Sequence, residues 1–161
     1  MDLPSFFGKA KSLGAANKLF LKKLKGKQFR NLDNVFQDAH EEVFEKIDCL
    51  TCANCCKTTS PIFYQKDIER LAKRLRMKPF DFTEKYLRID SDNDYVLKQA
   101  PCPFLGDDNY CGVYEDRPTA CREYPHTNRK NMYQVLDLVY KNTFVCPAVL
   151  KIVDEVKKHI G

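Results

Sequence analysis

The chain has 161 residues, 43% of them hydrophobic and 30% charged, with a formal net charge of +5. That length suits one small domain able to bury a core without obligatory staples, and no run approaches the roughly 18 consecutive apolar residues that a membrane-spanning helix needs. Its eight cysteines make up about 5% of the chain, below the roughly 8–10% of disulfide scaffolds.

The N-terminal stretch is not read as a secretory signal, because Asp2 and Lys9, Lys11, Lys18, Lys22 and Lys23 interrupt every apolar run. The expected compartment is the cytoplasm, where thiols stay reduced. Charge is unevenly placed: residues 1–30 carry a net +7, and the rest of the chain −2. Residues 1–30 are therefore read as a basic amphipathic helical segment, and residues 31–161 as the body of the protein.

In chain order, the first segment predicts a helix broken at "GAAN" (14–17), with Leu13, Ala16, Phe20 and Leu24 as its apolar stripe. A second helix follows over "NLDNVFQDAHEEVFEKI", where Leu32, Val35, Phe36, Ala39, Val43 and Ile47 share a face. His40 is expected on its exposed polar side. "TTSPIFY" reads as extended, and "QKDIERLAKRLRM" as a helix burying Ile68, Leu71, Ala72 and Leu75. Pro79 starts a short helix with Phe82 and Leu87 inward. "DYVLKQAPCPFLGDDNYCGVY" suggests a hairpin turning at Gly106–Asn109. One helical turn at "RPTACREYPH", a helix over "NMYQVLDLVYKN" and a last helix from Pro147 complete the chain. The fold class is mostly α with short strands and loops, a small cysteine-rich domain stapled by metal and flanked by helices.

Cysteine chemistry decides the functional reading. The positions are Cys49, Cys52, Cys55, Cys56, Cys102, Cys111, Cys121 and Cys146. Two residues between cysteines let one turn aim both sulfurs at a metal, as in zinc knuckles and iron–sulfur loops. Cys49, Cys52 and Cys55 repeat that spacing, and Cys102-Pro103 and Cys146-Pro147 carry the proline that follows the last ligand in bacterial ferredoxins. Adjacent Cys55 and Cys56 should point apart, and in a continuous helix Cys49, Cys52 and Cys56 would share a face. Eight thiolates divide into two four-cysteine zinc sites, or into one cluster plus a second site. The dithiol-redox alternative lacks the βαβ pattern it needs, and no phosphate loop, dinucleotide fingerprint or H-E-x-x-H motif is present.

"CLTCANCC", "CPFL" and "CGVYEDRPTACREYP" together resemble the bacterial CxxCxxCC cysteine-cluster family (YkgJ-like), known as a zinc- or iron-chelating domain. They are also similar to the cysteine region of flagellin lysine N-methylase, an enzyme thought to carry an iron–sulfur cluster. The resemblance implies that the eight cysteines are metal ligands. Arg117 and Arg122 place positive charge beside Cys121, and His126 is the further outer candidate. The expected cofactor is an iron–sulfur cluster, favoured over zinc. Two other functions stay open: a redox or methyl-transfer accessory enzyme using the cluster, and a zinc-stapled adaptor meeting nucleic acid or an acidic protein partner through its basic N-terminus.

Overall fold

Helix formation follows the apolar periodicity over most of the chain. The computed structural model describes residues 2–26 and 29–160. In order these form α1 (Leu3–Gly26), α2 (Leu32–Phe44), α3 (Asn54–Thr58), α4 (Gln65–Arg74), α5 (Pro79–Tyr86), β1 (Leu87–Ile89), β2 (Tyr95–Leu97), α6 (Thr119–Glu123), α7 (Leu136–Asn142) and α8 (Pro147–Ile160). Short 3-10 turns occupy Cys49–Thr51, Tyr114–Asp116 and Met132–Gln134. The fold is mostly α with one two-stranded antiparallel sheet among the described residues, as expected. Of the basic N-terminal segment, Met1, Lys27 and Gln28 lie outside the described residues.

The chain divides into two compact units: residues up to Cys49 together with those from Pro125 onward, and residues from Leu50 to Tyr124. In the first unit α1, α2, α7 and α8 enclose a core of Leu21, Leu24, Phe36, Val43, Val139, Val149, Ile152, Val153 and Val156. The break expected at residues 14–17 is absent, and α1 runs unbroken. Its buried line is Phe6, Ala10, Gly14, Asn17, Leu21 and Leu24; Ala16 of the expected stripe is exposed. Packing explains the difference. A Cβ on Gly14 would stand 3.1 Å from the Phe144 ring, so the glycine is a spacer that lets that ring approach. Asn17 is fully buried; its Oδ1 accepts a hydrogen bond from Lys157 Nζ, while its Nδ2 has no partner among the described residues.

His40 is also displaced from its expected exposed position. Its ring is half-buried, with Nδ1 2.8 Å from Thr127 Oγ1. Burial holds its pKa below the ordinary histidine value, against a smaller opposing pull from Glu41. At the other end of α2, Asp33 accepts hydrogen bonds from the N–H groups of Asn131 and Met132, both at 2.8 Å.

The second unit has its own core, built from Phe63, Ile68, Leu71, Ala72, Phe82, Leu87, Leu97 and Val113. Tyr95–Leu97 belongs to a hairpin, but its partner is Leu87–Ile89, not the segment ending at Cys111. The register pairs Leu87 with Leu97 and Ile89 with Tyr95, placing both leucines on the core side. The expected turn at Gly106–Asn109 closes a single bridge, Leu105 to Cys111, with Asn109 in the left-handed conformation (φ 64°).

If Gly14 is a spacer and not a helix breaker, Gly14→Leu should lower stability by about 1–3 kcal/mol through overpacking. Ala15→Leu, on the exposed side of the same helix, should stay within about 0.5 kcal/mol. Denaturant midpoints of the two variants check this, and equal effects would return the residue to a breaker role.

Candidate metal centre

The segment from Cys49 to Thr58 starts as a 3-10 turn and restarts as α3 after Ala53, which sits at φ 48°. That left-handed residue reorients the chain. The continuous helical face joining Cys49, Cys52 and Cys56 therefore does not form. Cys55 and Cys56 do not point apart either: the Cys55 thiol hydrogen-bonds to Cys56. Cys52 is buried, and its carbonyl accepts a hydrogen bond from Lys57 Nζ at 3.3 Å.

Cys56 is tied directly to the next cysteine loop, since Cys102 N–H donates to Cys56 O at 2.8 Å. In "CPFL", proline removes the donor at Pro103, Leu105 N–H donates to Cys102 O at 3.1 Å, and the backbone of Phe104 and Leu105 opposes the rise in the Cys102 pKa. In "CGV" the backbone of Val113 does the same for Cys111. Leu105 and Cys111 bridge, with Gly112 N–H donating to Phe104 O at 2.8 Å. Phe104 secures this double turn to the core by stacking with Phe82 (6.3 Å between centroids) and tilting against Tyr86 (5.1 Å). Pro118 precedes α6, which carries Cys121, as the motif suggested.

These loops bring Cys56, Cys102, Cys111 and Cys121 into one electrostatic neighbourhood. Burial pushes the Cys121 thiol up to about 12, with Cys56, Cys102 and Cys111 adding to the rise and Arg117 opposing it. Cys102 and Cys111 are also raised, chiefly by burial. Cys56 goes the other way, to about 7, through the Cys55 hydrogen bond first and then the positive charges of Arg117 and Lys57, against burial. The same guanidinium therefore acts on three of the four thiols. It lies 3.8 Å over the Tyr114 ring, and its buried Nε has no hydrogen-bond partner among the described residues.

The two arginines of the motif differ. Arg122 turns back on its own loop, donating to Glu115 O (2.7 Å) and Arg117 O (3.2 Å). Arg70, which sequence reasoning passed over, donates to Asp116 O (3.2 Å), Arg117 O (2.8 Å) and the fully buried Asp67 carboxylate (2.7 Å). Asp67 had a sequence signal, an acid three residues after Tyr64 at a helix start, but its distant partner Thr119 left none.

The remaining candidates fall elsewhere. Cys49 closes the first stretch of the first unit, and Cys146 lies in the same unit, half-buried against its core, with its N–H donating to Asn142 O at 2.8 Å. His126 is in that unit too, at φ 65°.

Among the described residues, no three His, Cys, Asp or Glu side chains are drawn close enough to hold an ion as they stand. The donor chemistry nevertheless fits a soft or borderline cation: four half-buried thiols, backbone groups that favour the thiolate form of two of them, and an arginine donor lacking an acceptor among the described residues. The charges on the thiols give a direct check. In metal-free, reduced protein, alkylation of Cys56 should rise with a midpoint near pH 7, because its thiolate forms through that range. Cys121 should remain a thiol, and resist labelling, well above neutrality. Mass mapping of alkylated peptides against pH reads both.

No helix of the described residues is long and apolar enough to cross a membrane. No curated protein and no solved structure matches the chain. The sequence profile of one family does match, over residues 48–143, and its description is "putative zinc- or iron-chelating domain". That match takes in every cysteine except Cys146 and more than half of the chain, and it spans the loops that carry Cys56, Cys102, Cys111 and Cys121. The protein belongs to the CxxCxxCC family of cysteine domains.

Proposed function

We propose that Cys56, Cys102, Cys111 and Cys121 hold a metal centre, and that this centre is an iron–sulfur cluster. The observation that carries the reading is the mutual action of these four thiols, with one guanidinium acting on three of them. Thiolate ligands must lose their protons to bind, and a cation supplies the charge that makes loss from a buried thiol such as Cys121 favourable. The backbone of Phe104, Leu105 and Val113 then favours the thiolates of Cys102 and Cys111, and Arg117 offsets the excess negative charge of a four-thiolate set.

Cluster and zinc make different demands on Arg117. A cluster brings inorganic sulfide as well as thiolate, giving the buried Nε further acceptors, and this favours the cluster. Bound, it would supply one-electron transfer. Zinc held by four thiolates would leave no open position for substrate and would act as a structural staple. The cluster reading makes the protein an electron carrier or an accessory to a redox or methyl-transfer enzyme. Cys49, Cys52, Cys55 and Cys146 are not assigned to this centre.

Protein purified without oxygen should contain iron and acid-labile sulfide and show a broad visible absorption. Colourless protein with stoichiometric zinc would favour the staple, and metal-free protein with paired cysteines would overturn both. Cys102→Ser and Cys121→Ser should each lose metal and melt at lower temperature, since binding is linked to folding. Arg117→Gln should release metal to a chelator about 10–100-fold more readily. In a cluster protein it should also move the reduction potential to more negative values, because a positive charge that favours the added electron is gone.

A further inference from the structure

We propose that Asp67 is a positioning residue for this centre: with Arg70 and Thr119 it holds the arm that carries Arg117 and Cys121 in place. The inference rests on the four-thiolate reading given above.

Asp67 stands in the first turn of α4 and is completely buried. Its Oδ2 accepts a hydrogen bond from Tyr64 N–H at 3.1 Å. Its Oδ1 accepts three more: from Arg70 Nη2 (2.7 Å), Thr119 N–H (3.0 Å) and Thr119 Oγ1 (3.0 Å). One carboxylate thus caps two helices, α4 and α6, joining residues 52 positions apart along the chain. Both helix beginnings carry unsatisfied N–H groups and partial positive charge, which a carboxylate complements.

Thr119 lies two residues before Cys121 and two after Arg117. Among the described residues no sheet ladder holds the backbone of this arm. Its carbonyls are held by arginines instead: Asp116 O and Arg117 O by Arg70, Glu115 O and Arg117 O by Arg122. Asp67 in turn fixes the Arg70 guanidinium, so a single buried charge orients the fork that grips the loop.

A buried ion pair is a poor device for stability alone, because an apolar replacement is often as good. What it provides is direction. Two planar, multiply bonded groups restrict the placement of α4 against the arm that carries Arg117 and Cys121.

The test uses protein as purified, with its metal. Accessibility of each cysteine is followed by alkylation and mass mapping during chelator challenge. In the unsubstituted protein, Cys56, Cys102, Cys111 and Cys121 should be protected together. In Asp67→Asn, release of the arm should also remove the burial that keeps Cys121 protonated, so Cys121 should become labelled first, about 10–100-fold faster than in the parent, while Cys102 and Cys111 stay protected. Thr119→Val, which removes only the hydroxyl's bond, should give a smaller change in the same order and keeps the test alive if Asp67→Asn does not fold. Ile68→Val, a mild core change on the same helix, should leave Cys121 as protected as the others.

Uniform acceleration of all four cysteines in Asp67→Asn and Thr119→Val, or labelling identical to the parent, would overturn the positioning role. An unprotected Cys121 in the parent protein would instead remove the four-thiolate reading beneath it, so the two failures are separable.

Discussion

A carboxylate sealed from water persists only when its oxygens are filled, and in the second unit that requirement falls on Asp67. Meeting it draws together the start of α4, the side chain of Arg70 and the start of α6. The cysteine loops have little regular structure to hold them, since the ladder nearest to them is three residues long on each strand. They depend on side chains for their shape: Asp67 and Arg70 on one arm, and Phe104 wedged against Phe82 and Tyr86 on the other. Removing water from these anchors makes each bond stronger, and each missing partner more costly.

The four thiols pose a second balance, between desolvation and charge. Burial disfavours every thiolate, and neighbouring thiolates disfavour one another, which is why Cys121 holds its proton so firmly. Against this stand the backbone beside Cys102 and Cys111, and one guanidinium shared among Cys56, Cys111 and Cys121. These groups compensate in part. The balance left over is what a bound cation would supply, so in this reading metal binding contributes directly to the stability of the unit that holds the loops.

The first unit solves an ordinary packing problem with unusual residues. α1 carries no acid in its first turn and a lysine-rich outer surface, yet several of its polar groups are engaged inward or sideways. Lys9 pairs with Asp154 at 3.1 Å, Lys25 pairs with Asp137, and Asn17 meets Lys157. Part of the net positive charge read from residues 1–30 is therefore neutralised within the unit. Exposed pairs of this kind add little stability, but they orient α1. Burial of Phe6, Ala10, Leu21 and Leu24 along its inner line stabilises the helix more, because apolar area removed from water is not screened by solvent or salt.

The sequence by itself determined the helical class, because periodic apolar positions such as Leu32, Phe36, Ala39 and Val43 require only local geometry to be read. It also determined which turns present cysteines, since Pro103 and Pro118 constrain the backbone beside their own cysteine loops. Tertiary structure decided what depends on distant neighbours. Arg117 and Arg122 are the same residue type five positions apart, and only the fold sends one over Tyr114 toward the thiols and the other onto its own carbonyls. Gly14 reads as a breaker until Phe144 lies against it, and His40 as a surface residue until Thr127 faces it. Asp67 reads as an acid at the start of α4, and only the fold brings Thr119 to it. Local sequence records the propensity of each residue, whereas burial and hydrogen-bond partners across dozens of residues exist only once the chain has closed on itself.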